Sequence, residues 1–421
     1  MEEPKFIAQL IWRRQSGQIT EGYTTTSQKP PLSDARVLQL ARAFGLKDPQ
    51  IFAHNHGYRN HSFGLMASLP ASKKRQKYNL MLLKNEPHAL ERVQNADSVA
   101  ALAASAGLPA RTLADSRTLK LSAPRGFRLA RLYHWLPGDT IPWEAYTRKH
   151  LRELGKTFAQ LHQALGKPQT ISEELSEGGS PRTRCVRPVA TGSDDIVSEE
   201  VVWGLPDALD ELLDQNAAMQ AYFERPGVQK ALAQKLGLKT RQNHAKIAQF
   251  LSSPKLRNLP TQPLHLDFVR GNVLWDGPAI TGIIDFEKTA LGPTLVDLAR
   301  TYAFLIVDCP KPIADIQRYF LHSGYFKFLR KINQPIPKTV AEGGNPSVRC
   351  DSPMPMGGID TVSEELDGLF FANSFQKLVN FFLIYDFYKF LSHNPYESLP
   401  KNYHFCRTHD ILEGRNILEV L

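Results

Sequence analysis

The sequence is poor in the features that tie a protein to a membrane or to an oxidising compartment. It has four cysteines in 421 residues (Cys185, Cys309, Cys350, Cys406), with no CxxC pair and no Cys/His cluster. That spacing excludes a disulfide framework or a structural zinc as organising principle, and free thiols in a reducing compartment are expected. Long apolar runs are missing too: Leu378–Tyr385 falls well short of the roughly 18 residues that a spanning helix needs. Met1-Glu2-Glu3-Pro4 opens the chain without the basic and then apolar segments of a secretory signal, so a cytoplasmic protein with no membrane partner is expected. Concentrated charge is equally scarce. The net charge of +9, from 51 basic and 42 acidic residues, is spread along the chain, apart from Lys73-Lys74-Arg75-Gln76-Lys77. That run lies between two strand-like segments and reads as a solvated hairpin tip, so nucleic acid is not expected as a partner. The basic balance suits an anionic ligand better than a polycationic one.

What is present is an ordinary soluble composition, 42% hydrophobic and 22% charged, on a chain too long for one compact core. Two domains or one two-lobed fold is the default. After an irregular start, Ser33 reads as an N-cap, Val37, Leu40, Ala41 and Phe44 follow at helical spacing, and Gly45 ends the helix. Strand-like segments come next: Ile51–Ala53, a polar turn over 54–60, Ser62–Ala67, and Lys77–Lys84. Pro87–Gly107 predicts a helix with Val93, Ala96, Ala100 and Ala103 along one side, and Arg111–Ala114 and Arg125–Tyr133 predict two further strands. Pro137-Gly138 then turns the chain, and Trp143–Leu165 is a long amphipathic helix. Helices are also predicted at Asp207–Phe223, Gly227–Ser252, Pro293–Val307 and the aromatic-rich Phe370–Ser392, which reads as core.

Two anomalous segments interrupt this order. Residues 177–200 and 342–365 match at thirteen of 24 positions, without a gap, at a constant offset of 165. Both are rich in Gly, Pro, Ser and charge and lack regular periodicity, and two copies are too few for a stacked-repeat fold. They read as a duplicated insertion forming flexible loops, over about 170–203 and 338–368.

The stretch Leu264–Lys288, LHLDFVRGNVLWDGPAITGIIDFEK, carries the chemistry. Asp267 sits on a loop after His265-Leu266; Asn272 opens a short strand, Val273–Trp275; Asp276-Gly277 makes a turn; Ala279–Ile284 returns, with Asp285 at its end. A hairpin places its entry and exit side by side, so Asn272 and Asp285 can converge on one metal while Asp267 faces a substrate. Transfer of a phosphoryl group to an alcohol needs those parts: a carboxylate for the hydroxyl proton, hard oxygen ligands for magnesium, and a cation for the nucleotide. His265 reads as a loop brace, and Asp297 as a tie between the following helix and the loop.

With HxDxxxxN, hairpin, IDFE and GPTLVDLA in order, the chain resembles the aminoglycoside phosphotransferase/choline kinase-like family, over about residues 50–310. The resemblance implies an α+β, two-lobed protein-kinase-like fold: a small antiparallel-sheet lobe with its extension (1–133) and a mainly helical lobe (134–421). It implies Asp267 as catalytic base and Asn272 and Asp285 as magnesium ligands. Lys84 resembles the ATP-positioning lysine, and Gly57–Phe63, with Gly57 and Asn60, the nucleotide loop. Adenine is expected against backbone between Leu132 and Leu136. The helix carboxylate that would hold Lys84 is left open between Glu91 and Asp97, with Asn95 nearest the place expected for it, and Phe268-Val269-Arg270 stands where relatives often carry a His-Pro pair. Arg270 reaches a phosphate or is simply exposed. The expected activity is ATP- and Mg2+-dependent phosphorylation of a small-molecule hydroxyl (an aminoglycoside, choline or another amino-alcohol, a sugar or homoserine). The alternative is a catalytically silent nucleotide-binding scaffold. A cluster of Asp207, Asp210, Glu211 and Asp214 would suit a polycation or be an ordinary solvated helix face. Oligomeric state has no signal in the sequence.

Overall fold

The computed structural model describes residues 32–56, 60–69, 74–84, 86–121, 127–166, 184–189, 197–202, 204–236, 244–333 and 361–414. Gly57, the first residue of the basic tip (Lys73), the N-terminal 31 residues and most of both duplicated segments lie outside them.

The first lobe is built on a five-stranded antiparallel sheet: β1 (Lys47–His56), β2 (His61–Ser68), β3 (Gln76–Lys84), β4 (Leu113–Lys120) and β5 (Phe127–His134), in the order β1-β2-β3-β5-β4. Helix α1 (Asp34–Ala43) starts at Ser33, whose hydroxyl accepts the Arg36 N–H, and ends before Gly45 at φ +85°. It covers one face of the sheet, where Val37, Leu40 and Ala41 pack with Phe63, Leu65, Tyr78, Leu80, Leu82 and Leu132. Helix α2 (Ala89–Ser105) covers part of the other, where Val93 meets Met81, Leu83 and Tyr133. The central strand β3 is therefore apolar on both faces, which is why its sequence runs nearly unbroken rather than alternating.

The chain leaves this lobe through Trp135–Asp139. Trp275 and Asp139 exchange backbone hydrogen bonds at 2.8 and 3.1 Å, fixing the crossing to the strand that holds Trp275. Gly138, at φ +92°, stands so close that a Cβ would lie 2.7 Å from the Trp275 carbonyl oxygen, which leaves room for no other residue. The second lobe begins with α3 (Arg148–Leu165), capped by Thr147. One large apolar cluster runs from α3 through α4 (Ala208–Phe223), α5 (Thr294–Asp308) and the aromatic α6 (Thr361–His393).

Part of the first duplicated segment pairs as strands, β6 (Arg184–Val189) against β7 (Val197–Val202), which its composition did not lead one to expect. The second copy runs into the start of α6.

Candidate active site

The chemistry-bearing stretch is closed on itself. Strand β8 (Thr261–Leu264) leads in, β11 (Ala290–Pro293) leads out, and the two pair antiparallel from Leu264↔Ala290 to Thr261↔Pro293. Between them β9 (Val273–Asp276) and β10 (Ala279–Ile283) form the expected hairpin, turning at Gly277 with φ +54°. Entry and exit of the hairpin meet where the Ile284 N–H donates to the Asn272 carbonyl at 3.0 Å. Asn272 and Asp285 are thus brought together by backbone pairing alone.

Asp267 is nearly buried, and both its oxygens are held. Asn272 donates from Nδ2 to Oδ2 at 3.0 Å and to the Asp267 carbonyl at 2.8 Å, and Lys288 donates from Nζ to Oδ1 at 2.8 Å. Burial pushes the Asp267 carboxyl up, but Lys288, aided by Arg300, outweighs it and holds the group below the usual carboxylate range. Asp267 is accordingly an ionised acceptor at neutral pH. Lys288 carries no motif signature of its own beyond its place directly after IDFE.

His265 braces the loop, as its burial between Phe286 and Phe268 requires. Its Nδ1 accepts the Asp267 N–H at 3.2 Å, and burial lowers its pKa, so the ring is neutral. Asp297, fully buried at the start of α5, accepts the N–H groups of His265 (2.8 Å) and Leu266 (2.9 Å). His162 of α3 bridges Asp297 (3.2 Å) and the Tyr325 hydroxyl (2.6 Å). Leu266 and Asp285 both sit in the left-handed region, φ +54° and +63°. Such strain in non-glycine residues costs about 1–3 kcal/mol each and persists where surroundings impose it. Phe268 stacks on Phe158 at 4.6 Å, anchoring the loop to α3 without a His-Pro pair. Arg270 is buried rather than exposed, in the short 3-10 turn that ends at Asn272.

Magnesium would need hard oxygen donors. Asn272 uses its Nδ2 on Asp267, which leaves Oδ1 for a cation, and Asp285 is partly exposed at the strand end, with no hydrogen bond to its carboxylate among the described residues. No group of three or more His, Cys, Asp or Glu able to hold a metal occurs among the described residues. One amide oxygen and one carboxylate fit a metal that takes its remaining ligands from phosphates and water.

The expected nucleotide residues are placed less uniformly. Asn60 joins the lobes: its Nδ2 donates to Glu287 Oε1 at 2.7 Å, and its Oδ1 accepts the Lys84 N–H at 3.2 Å. The Lys84 ammonium is half exposed and pairs with Glu86 at 3.4 Å. Of the three helix positions left open for its partner, Asp97 is taken by Arg111 (3.1 Å) and Arg131 (2.9 Å), and Glu91 pairs with His88 at 3.2 Å. Leu132 lies inside the sheet, opposite Leu80 and Asp115, with its side chain against α1; Leu136 lies past the end of β5, partly exposed. The acidic positions of α4 are partly occupied as well. Asp207 caps the helix by accepting the Leu209 and Asp210 N–H groups, and Arg257 pairs with Asp207 and Asp210 at 3.3 and 2.7 Å.

Known proteins bear on this arrangement in three ways. Residues 71–330, more than half of the chain, match the model of the phosphotransferase enzyme family. A homoserine kinase of Pseudomonas aeruginosa is 51% identical over 43 residues, a match spanning 10% of this chain and only 14% of that relative's length. A solved amicoumacin kinase, in complex with AMP-PNP, Ca2+ and Ami, superposes with a TM-score of 0.55 at 13% identity, covering 91% of this chain and 94% of that one. The last likeness is one of fold, and the fold is the two-lobed, protein-kinase-like one. Motif order, hairpin closure and the family match agree, and the chain belongs to the phosphotransferase enzyme family.

Proposed function

We propose that this chain moves the γ-phosphoryl group of ATP, in the presence of Mg2+, to a hydroxyl of a small molecule. The observation that carries the reading is the closed stretch between β8 and β11, in which Asn272 is hydrogen-bonded to Asp267 and, through the Ile284 N–H, to the neighbour of Asp285. Asp267 accepts the hydroxyl proton as the new oxygen–phosphorus bond forms and the bond to the departing ADP breaks. Asn272 orients that carboxylate through Nδ2. Lys288 keeps it ionised and yields its contact as the acceptor hydroxyl arrives. The Asn272 Oδ1 and the Asp285 carboxylate would hold the metal, which when bound neutralises charge on the phosphates. Asn60 and Glu287 keep the roof seated over the cleft, and Leu136 offers backbone to the base. AMP-PNP in the amicoumacin kinase is in keeping with a nucleotide here.

For the acceptor, two of the four acidic residues at α4 that would attract a polycation, Asp207 and Asp210, already serve as helix cap and ion pair, and the cations acting on Asp267 are Lys288 and Arg300. That balance favours a neutral, zwitterionic or anionic alcohol, such as a sugar or homoserine, over an aminoglycoside. ATP consumption across a panel of hydroxyl compounds tests this. Asp267→Ala should reduce turnover at least about a thousandfold and leave nucleotide binding within a few-fold; unchanged consumption with a confirmed acceptor would sink the assignment.

One observation favours a second reading, a silent nucleotide-binding scaffold: Lys84 has no partner on α2. Magnesium-dependent nucleotide binding with no turnover on any acceptor would support it.

A further inference from the structure

Kinase-like clefts need a cation over the inner phosphates, steadied by a carboxylate on the helix behind the sheet. Lys84 meets neither condition. Within β3, Tyr78, Leu80 and Leu82 point towards α1, and Met81 and Leu83 towards α2. Alternation puts Lys84 in step with Leu82, and its ammonium turns outward to Glu86. It borders a shallow hollow of about 360 Å³, shared with His88 and Leu90 at the start of α2 and with Lys120 and Leu129. The strand position that looks inward, where a cation would be needed, is Met81.

A guanidinium fills that place from elsewhere in the chain. Arg111 lies in the connection between α2 and β4, only 6% exposed, with Nη1 on the Met81 sulfur at 3.7 Å and its plane over the Tyr133 ring at 4.3 Å. Nη2 pairs with Asp97 of α2 at 3.1 Å. The same connection is hydrogen-bonded to the metal side of the catalytic hairpin: the Arg111 N–H donates to the Ile283 carbonyl at 3.1 Å, and the Ile283 N–H to Pro109 at 2.8 Å. Ile283 stands two residues before Asp285, and both Asp285 and Glu287 lie close enough to act on the Arg111 charge. Cation, helix carboxylate and metal-site aspartate thus come together, with an arginine as the cation.

Its donors are incompletely used. Arg111 Nε is buried with no acceptor among the described residues, and Nη1 faces only a thioether, a weak acceptor. Arg131 already pairs with the second Asp97 oxygen, so Asp97 keeps a partner when Arg111 turns to another anion. An arginine fork matches phosphate oxygens better than any other side chain.

We propose that Arg111, steadied by Asp97, is the cation that grips the inner phosphates of the bound nucleoside triphosphate, in the place the sequence reading gave to Lys84. This assignment rests on the phosphotransferase reading above. It is tested by equilibrium binding of Mg-ATP, Mg-ADP and adenosine to the wild-type chain, Arg111→Met, Arg111→Lys and Lys84→Met, with the unfolding midpoint of each measured in parallel. Arg111→Met should weaken ATP and ADP by about tenfold or more and leave adenosine nearly unchanged. Arg111→Lys, which keeps the charge and loses the fork, should recover part of that loss. Lys84→Met, removing an exposed charge, should change each affinity by less than about threefold.

A loss that strikes adenosine and ADP equally and follows the unfolding midpoint would mean that Arg111 only braces α2. A selective loss in Lys84→Met with none in Arg111→Met would return the role to Lys84. If Arg111→Met does not fold, Arg111→Lys decides: a several-fold loss confined to the phosphate-bearing ligands supports the assignment, and wild-type affinities for all three overturn it. A wild-type chain that binds no nucleotide overturns the phosphotransferase reading and this assignment together, whereas wild-type binding with indifferent Arg111 variants overturns the assignment alone.

Discussion

Asp267 illustrates how one residue's chemistry is set by its neighbours. Burial alone would raise its pKa and favour the protonated form; Lys288 at 2.8 Å reverses the sign. Because the folded-state pKa is depressed, this group adds stability above its unfolded pKa, and that contribution is lost as pH falls through the lower folded value. Activity should follow the same carboxylate, with an acid limb below the ordinary aspartate range. Lys288→Met removes the pull and leaves the burial, so the acid limb of the kcat profile should move to higher pH, and the unfolding midpoint at neutral pH should fall because the stability tied to the depressed pKa goes with it. An unmoved limb would mean that Lys288 does not tune Asp267. At this scale the sequence was informative where spacing enforces geometry, as for Asp267, Asn272 and Asp285, and silent where a long side chain arrives from another element. Arg111 had no motif around it. The resemblance places the nucleotide cation at Lys84, at the end of β3; that strand is buried on both faces, so its apolar run carries no alternation from which to read which way its last residue points.

At the scale of elements, the loop before Asp267 is positioned from behind. Asp297 on α5 receives two consecutive loop N–H groups, and His162 on α3 clamps it in turn. The GPTLVDLA motif is therefore mechanical: it converts the position of a helix into the position of the loop that carries Asp267. Asp297→Asn keeps the shape but leaves one oxygen where there were two, so one loop N–H loses its acceptor. A cost of about 1–3 kcal/mol is expected, read as a lower denaturant midpoint. Turnover should fall more than nucleotide affinity does, because the loop's aim is disturbed while the roof of the cleft is not. Elements themselves were largely legible, since amphipathic spacing and caps such as Ser33 are local signals; the helix expected from Trp143 begins only at Arg148, behind a Thr147 cap that its spacing did not disclose. The duplicated segments mark the limit. Val-Ser-Glu-Glu is strand at 197–200 and the beginning of a long helix at 362–365, so identical local propensity is decided by what each copy adjoins.

The two lobes are joined by more than the crossing. Asn60 reaches Glu287, the α2–β4 connection is bonded to β10, and Gly138 is packed against Trp275. A nucleotide and its metal would touch both sides of this joint and only in the folded chain, so binding should raise the unfolding temperature by mass action. At a hundred times the dissociation constant the gain is about 2.7 kcal/mol, several degrees for a chain of this size. The dependence on metal separates the roles of the carboxylates. Asp285→Asn weakens a hard-cation ligand, so the Mg-ATP shift should shrink towards that given by ATP with EDTA. Asp267→Asn replaces a carboxylate on the acceptor side with a group of the same shape, and should keep the Mg-dependent shift while turnover is lost. If both variants lost the shift equally, the division of the site into a metal side and an acceptor side would be wrong, although the fold would stand.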